Sequence, residues 1–243
     1  MAGVLYIVPT PVGNLADMTY RAVEVLRSVD LILAEDTRTT SVLLKHYGIE
    51  GHLKSHHKFN EHATASIIKE RILAGADVAL VSDAGTPGIS DPGFLLVRTC
   101  ATEGIEVRTL PGATACIPAL VSSGLPCDSF CFEGFLPRKK GRQTALTALE
   151  AETRTMVFYE SPYRVAATLG QLAEHLGADR ACCVSREISK VHEEHRRGTL
   201  GELFDWYSAH EAKGEIVIIV AGRPGRVKKN EDRDEFGQVS QES

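Results

Sequence analysis

Three segments rich in glycine and proline follow apolar, strand-like runs: residues 9–14, 83–93 and 111–114. Glycine lets a backbone approach a ligand closely, and proline fixes a loop in advance, so that little entropy is lost on binding. No G-x-G-x-x-G motif follows the first strand, and a G-x-x-x-x-G-K-[ST] motif is absent. The segments therefore predict a preformed pocket for a cofactor without phosphates. For any one segment, a simple turn between strand and helix is the alternative.

Charged residues just beyond predicted strands are candidates for proton transfer or for orienting a substrate. Asp36 and Arg38 follow the second strand, and Glu160 and Arg164 occupy the equivalent place in the second half. A carboxylate there can serve as a general base, and a guanidinium can orient a ribose or a phosphate. The alternatives are an ion pair that caps a helix for the first two residues and a salt bridge for Glu160. Glu187, at the end of a later strand, is open to the same two interpretations.

One dense basic run comprises Arg138, Lys139, Lys140 and Arg142. The net charge of the chain is −5, so any contact with RNA phosphates must be local. Phosphate contact by this run, extended by Arg196 and Arg197, is one interpretation. A solvated loop is the other.

Residues 56–62 hold three histidines and one glutamate, but their spacing matches no zinc or iron signature. A helix entry capped by Asn60, or a polar loop that faces RNA, is the expected structure, and no metal site is predicted. The six cysteines are scattered without a C-x-x-C pair. They are expected to be reduced, mostly buried side chains.

Strands and helices alternate along the chain in a way that positions these residues. Strands are predicted at residues 4–8, 31–34, 78–82 and 105–110, with helices between them. A second set of strands is predicted at residues 130–133, 155–160, 181–186 and 215–221. The fold class is therefore α/β, with a parallel sheet in the first half.

The length of 243 residues favours two domains, and the composition of 43% hydrophobic and 24% charged residues is that of a globular protein. We predict an N-terminal domain at 1–121, a C-terminal domain at 122–222 and a disordered polar tail at 223–243. Neither a secretory signal nor a membrane-spanning stretch is evident, which predicts a cytoplasmic protein without a membrane partner.

Six motifs in order resemble the tetrapyrrole methylase superfamily, and within it the branch that methylates ribosomal RNA; the resemblance extends from about Val4 to Gly222. They are VPTPVGN from Val8, AEDTR from Ala34, SDAGTPGISDPG from Ser82, LPG from Leu110, GFLP from Gly134 and FYESP from Phe158. The resemblance implies a two-domain class III methyltransferase architecture, in which each domain is a central sheet flanked by helices.

The resemblance also implies a homodimer that binds S-adenosyl-L-methionine between its domains and methylates a cytidine 2'-hydroxyl in the decoding region of 16S rRNA, with no DNA partner. The residues it places at the cofactor are Val12, Asp83, Thr86, Ile89, Thr114, Ala115, Tyr159, Ser185 and Glu215. Many superfamily members have Gly-Asp-Pro where this chain has Gly85-Thr86-Pro87. Asp83 is expected to supply the missing charge.

Two other functions fit parts of the sequence. A tetrapyrrole C-methyltransferase would keep the fold and the cofactor, but the Gly-Thr-Pro variant and the basic run favour an RNA acceptor. A non-catalytic rRNA-binding assembly factor would need a strongly basic surface, whereas this chain is acidic overall.

Overall fold

A computed structural model describes residues 2–58 and 60–224, which form two five-stranded sheets flanked by helices. The first sheet contains β1 (Leu5–Ile7), β2 (Leu31–Ala34), β3 (Leu53–Ser55), β4 (Val78–Val81) and β5 (Val107–Thr109). Its strands are parallel and lie in the order β3-β2-β4-β1-β5. The predicted parallel α/β sheet is confirmed.

Helices that connect these strands cover both faces of the first sheet. They are α1 (Tyr20–Ser28), α2 (Thr37–His46), α3 (Glu61–Leu73) and α4 (Phe94–Thr102). Leu5, Leu33 and Leu80 pack on one face with α3 and α4, whereas Val8 and Ile32 pack on the other with α1 and α2. Such fully buried side chains contribute about 1.5–3 kcal/mol each to folding.

Asp17, an acidic residue shortly before α1, does not cap this helix. Asp17 lies in a short 3-10 turn, Leu15–Asp17, and its carboxylate accepts a hydrogen bond from the hydroxyl of Ser189. The cap is Thr19, whose hydroxyl accepts the N–H of Ala22 at 3.1 Å. A cap must directly precede the first helical residue with an extended backbone, and Thr19 meets that condition.

The second sheet has the strand order β6-β7-β10-β8-β9, in which only β6 and β7 are parallel. Its strands are β6 (Phe130–Phe135), β7 (Thr155–Glu160), β8 (Ala181–Arg186), β9 (Glu194–Thr199) and β10 (Ile216–Val220), numbered along the chain. The remaining helices are α5 (Cys116–Ser123), α6 (Arg142–Leu149), α7 (Val165–Leu176) and α8 (Leu200–Ala209). One face of the sheet packs against α6, α7 and α8, and the other packs against α5.

Helix α5 spans the predicted boundary between residues 121 and 122. Although most of it precedes that boundary, it packs on the second sheet through Cys116, Ala119 and Leu120. The exact boundary therefore stays a prediction. The predicted tail, from residue 223, lies outside the described residues except for its first two positions. Within the part that is described, no helix is long and apolar enough to cross a membrane.

Candidate functional site

Three loops at the carboxyl edge of the first sheet are joined to one another by hydrogen bonds. Thr10, in the loop after β1, and Gly85, in the loop after β4, exchange two backbone hydrogen bonds of 2.9 Å. The Thr10 hydroxyl donates to the carbonyl of Ser82 at 2.9 Å, and the Thr86 hydroxyl donates to the carbonyl of Ala113 at 3.0 Å. The loops predicted to form a preformed pocket are thus fixed by their own contacts.

A cavity of about 500 Å³, here called the central cavity, lies between these loops and the edge of the second sheet. Because parallel strands present their carboxyl ends at one edge, the loops after β1, β4 and β5 all reach it. The second sheet contributes the last residues of β6 and β7 and the first residues of β10. The two halves approach each other closely at Gly134, where a Cβ would lie 3.3 Å from the Ser90 hydroxyl. The φ of Gly134 is +60°, a backbone conformation that favours glycine.

Carboxylates dominate the polar part of the central cavity: Glu35, Asp83, Asp91 and Glu215 all line it. Burial raises the pKa of Asp91 to about 6, and the charges of Glu35 and Asp83 add to the effect. Burial likewise raises the pKa of Glu35, with Asp83 contributing and His57 opposing. The cavity therefore presents a negative field that favours a cationic ligand.

Residues 187–193, here called the strap, connect β8 to β9, and Ile188 of the strap lies at the rim of the central cavity. Lys190 Nζ lies 2.8 Å from Glu187 Oε1 and 3.0 Å from Glu215 Oε2. The stem of Lys190 lies against Gly13 in the loop after β1, because a Cβ at Gly13 would be 2.4 Å from Lys190 Cγ. The strap thus joins the second sheet to the first loop, and Ile188 adds an apolar wall.

The family model for tetrapyrrole (corrin/porphyrin) methylases matches residues 4–204. Ribosomal RNA small subunit methyltransferase I of Escherichia coli O157:H7 is 52% identical over 223 residues, which cover 90% of this chain and 78% of that protein. The protein of the same name from a Synechocystis species is 48% identical, with 97% and 83% covered. This chain belongs to the ribosomal RNA small subunit methyltransferase I family.

Solved structures of tetrapyrrole methyltransferases share the fold of this family member. The methyltransferase CobJ superposes with a TM-score of 0.67 at 19% identity and covers 91% of this chain and 95% of its own. Uroporphyrin-III C-methyl transferase from Thermus thermophilus, complexed with S-adenyl homocysteine, gives a TM-score of 0.62 at 18% identity, with 90% and 97% covered. The expected two-sheet methylase architecture is confirmed.

Eight of the nine residues that the sequence suggested for a cofactor line the central cavity of this methyltransferase I chain. They are Val12, Asp83, Thr86, Ile89, Thr114, Ala115, Tyr159 and Glu215. Ser185 does not line it: its side chain is buried, and its hydroxyl lies 2.8 Å from His195 Nδ1. On β8 the side chain of Ser185 therefore belongs to the interior of the second half.

The structure adds cavity residues that the sequence did not single out, chiefly Glu35, Asp91 and Ile188. Glu35 and Asp91 lie inside two of the motifs that carry the family resemblance, so those motifs could have indicated both residues as part of the site. Ile188 and Lys190 lie in the strap, which no sequence pattern distinguishes.

The carboxylate of Asp36 is occupied at the start of α2. It accepts the backbone N–H of Arg38 at 2.8 Å and pairs with the guanidinium of the same residue at 2.5 Å. Hydrogen bonds from Arg38 lower the pKa of Asp36 to about 2. This geometry is that of a helix cap, whereas the Arg38 side chain is largely exposed beside the loops.

Glu160 is buried at the end of β7, and both of its carboxylate oxygens are engaged. One accepts the backbone N–H of Ser161 at 2.7 Å and a hydrogen bond from Arg164, and the other accepts the Thr168 hydroxyl at 2.6 Å. These partners hold Glu160 at the cavity wall. The geometry favours the salt-bridge interpretation over a general base.

The basic run divides into two parts. Arg138, Lys139 and Lys140 are exposed. Arg142 is instead bonded to Gln171 at 2.7 Å and to Thr168 at 2.8 Å, and burial lowers its pKa. Its position at the first residue of α6 turns its side chain toward α7, so within this run only Arg138, Lys139 and Lys140 are exposed cations.

No group of three or more potential ligands that could hold a metal ion occurs among the described residues. His56 is buried, and its Nδ1 atom lies 2.8 Å from the Thr64 hydroxyl. Asn60 precedes α3 as expected, although its side chain accepts the N–H of His57 instead of a helical N–H. Five cysteines are buried and Cys127 is exposed, and all six are free.

Proposed function

We propose that this protein transfers a methyl group from S-adenosyl-L-methionine to small-subunit ribosomal RNA, and that the acceptor is a cytidine 2'-hydroxyl in the decoding region of 16S rRNA. The observation that carries the proposal is the 46–52% identity to several proteins named ribosomal RNA small subunit methyltransferase I, over 90–97% of this chain. The finer acceptor, the cytidine hydroxyl, follows from the motif resemblance.

The central cavity fits the proposed methyl donor in size and in chemistry. Its volume of about 500 Å³ lies within the roughly 300–1,000 Å³ typical of small-molecule sites. S-adenosyl-L-methionine supplies an activated methyl group on a sulfonium and carries an ammonium group. The carboxylates of Asp83, Asp91 and Glu215 oppose that positive charge, and Ile89 and Ile188 offer apolar walls for an adenine ring.

The loops of the chain orient the reactants and exclude water. Thr86 holds the loop after β4 to the loop after β5, so the pocket does not need to be ordered on binding. Tyr159 closes the side formed by the second sheet and contacts Phe135 edge to face. Positioning of this kind can lower the barrier to an in-line displacement by several kcal/mol, up to about 7–11.

The exposed cationic side chains of Arg138, Lys139 and Lys140 support an RNA acceptor over a tetrapyrrole. Three adjacent exposed cations lie between β6 and α6, beyond the part of β6 that reaches the central cavity. A small tetrapyrrole has no need of a basic loop outside its pocket, whereas an RNA backbone extends past the reacting nucleotide. We further propose a homodimer acting in the cytoplasm, as the resemblance implies, which sedimentation and fractionation would test.

The direct test is transfer of labelled methyl groups onto small ribosomal subunits isolated without this modification, followed by nucleoside analysis. We expect label in a 2'-O-methylated cytidine. Label in a base or in another nucleoside would contradict the finer proposal. Binding of S-adenosyl-L-methionine without any transfer to RNA would contradict the function itself.

A further inference from the structure

A second cavity, of about 440 Å³, adjoins the central cavity on the side of the first sheet. Val12, Asp83 and Ala84 line both cavities, so the two meet at these residues. None of the residues suggested from the sequence for the acceptor lines the second cavity itself, although Thr39 and Thr40, next to Arg38, do.

In-line methyl transfer explains why a second cavity would adjoin the first. The acceptor oxygen must approach the methyl carbon opposite the sulfur and reach a distance of about 3–3.5 Å. An acceptor therefore needs its own space that opens onto the donor cavity. The second cavity has the required position, since Val12, Asp83 and Ala84 line both cavities.

The walls of the second cavity suit one nucleotide. Leu15, Val42 and Leu43 provide apolar surface, and Val42 is 71% exposed. Thr39, in the first turn of α2, provides an exposed hydroxyl. Enzymes that do chemistry on a base extrude the nucleotide into a pocket in which apolar side chains contact that base, and walls of this kind also suit a nucleotide that reacts at its ribose. Arg38, adjacent to Thr39, has a largely exposed guanidinium, which is a group that pairs well with phosphates.

Asp83 is the carboxylate at the junction of the two cavities. Its Oδ1 atom accepts the backbone N–H of Asp36 at 3.1 Å, which orients the carboxylate group. Asp36 itself is occupied by Arg38, as described above. Asp83 is thus the carboxylate that lines both spaces and is aligned by a neighbouring backbone group.

We infer, on the basis of the proposed function, that the second cavity receives the acceptor nucleotide and that Asp83 takes the proton of its hydroxyl. As the bond between the ribose oxygen and the methyl carbon forms, the bond between that carbon and sulfur breaks. The hydroxyl proton passes to the Asp83 carboxylate, and the sulfur leaves as a neutral thioether. Proton removal by a positioned group contributes about 10²–10⁴ in rate.

The occupant of the cavity is tested with Val42→Trp, which fills the space from an exposed position on α2. Ile67→Trp is the matched control, because Ile67 is another exposed β-branched residue in a helix and lines neither cavity. Val42→Trp should raise the KM for undermethylated small subunits at least tenfold and leave the Kd for S-adenosyl-L-methionine, measured by calorimetry, within twofold. Ile67→Trp should change neither.

The role of Asp83 is tested with Asp83→Asn in single-turnover assays at saturating donor and acceptor. We expect the rate to fall at least 100-fold, with partial rescue by Asp83→Glu. A parental rate at saturation, with only the Kd for the donor increased, would make Asp83 a donor contact alone and overturn its role as base.

Other results separate this inference from the proposed function. An inactive parent protein would contradict the proposed function. An active parent with a Val42→Trp variant of unchanged KM would overturn the acceptor cavity and leave that function intact. A changed sedimentation coefficient for Val42→Trp would assign the cavity to contact between two copies of the chain and would also overturn the inference.

Discussion

The ammonium group of Lys190 lies 3.0 Å from the carboxylate of Glu215, a residue of the central cavity. The same ammonium pairs with Glu187, and the Lys190 stem lies against Gly13. One side chain therefore holds the strap, the start of β10 and the loop after β1 together. Residues from both halves of the protein therefore meet at this rim of the central cavity.

Replacing Lys190 with Met should weaken donor binding by about tenfold, because the strap and Glu215 are then no longer held in position at the rim. A charge-assisted contact of this kind contributes roughly 1.5–3 kcal/mol, and less when its groups are partly exposed. Calorimetry with S-adenosyl-L-methionine measures the effect. Lys190→Arg should restore most of the affinity, since it retains the charge. Lys69→Met is the control, because Lys69 pairs with Glu70 and Glu103 away from the cavity. Equal affinity in Lys190→Met and the parent would show that the rim does not act on the donor.

The raised pKa of Asp91 predicts opposite effects of pH on stability and on donor binding. Its folded pKa of about 6 exceeds the ordinary value of 3.8, so the folded state holds this proton more tightly than the unfolded state. The free energy of unfolding therefore falls as pH rises from about 4 to 6. Donor affinity should rise over the upper part of this range, since the ionised carboxylate attracts the cation.

Asp91→Asn tests both effects. The full shift from 3.8 to about 6 would correspond to about 3 kcal/mol. Because Asp91 is only partly buried, we expect the substitution to raise the unfolding free energy above pH 6 by about 1 kcal/mol. Urea unfolding at pH 7.5 and calorimetry between pH 5 and 8 measure stability and donor affinity. The variant should bind the donor more weakly at pH 7.5 and with a smaller pH dependence, while Asp128→Asn, at an exposed turn, should behave as the parent. If the donor affinity of Asp91→Asn depends on pH as strongly as that of the parent, the pH dependence belongs to Glu35 instead.

Regular structure was predictable where a run of buried residues shows a clear period. The bounds of β2, β7 and β8 were predicted correctly, because each is an apolar run closed by a charged residue. Strands β3 and β9 were missed, since the segments LKS and EHRRGT carry polar side chains at the edges of their sheets. An edge strand is recognised by its partner, which a linear pattern does not show.

The site follows the same division. Loops that follow buried strands could be assigned to one edge of a sheet, which brought residues as distant in sequence as Val12 and Thr114 to one cavity. The strap could not be found, because its contacts with Gly13 and Glu215 depend on how the two sheets face each other. Whether Glu160 is buried and paired, or free as a base, also depends on tertiary neighbours.

Glu160 should stabilise the fold instead of acting on the substrate. Glu160→Ala removes the partner of Arg164 and Thr168, and it should lower the free energy of unfolding by about 2–3 kcal/mol. Glu150→Ala, which removes a surface pair with His175, should cost less than about 1 kcal/mol. Glu160→Gln keeps the shape of the side chain and should retain a kcat within about threefold of the parent at 20 °C. A 100-fold loss of kcat in a Glu160→Gln variant of parental stability would restore the general-base hypothesis.

The exposed cations and Arg142 should have separable effects on RNA binding and on folding. Replacing Arg138, Lys139 and Lys140 together by Ser should weaken binding to small subunits and reduce the salt slope of log K by about 2–3, since each phosphate contact contributes roughly 0.7–0.9. Donor affinity should not change, because none of the three lines the central cavity.

Arg142→Ser should instead lower the free energy of unfolding, because the bonds to Gln171, Thr168 and the carbonyl of Pro137 are lost. Binding isotherms at four salt concentrations, with urea unfolding of each variant, distinguish the two effects. A salt slope that is unaltered in the triple variant but reduced in a folded Arg142→Ser protein would reverse the assignment and place the phosphate contact at the start of α6.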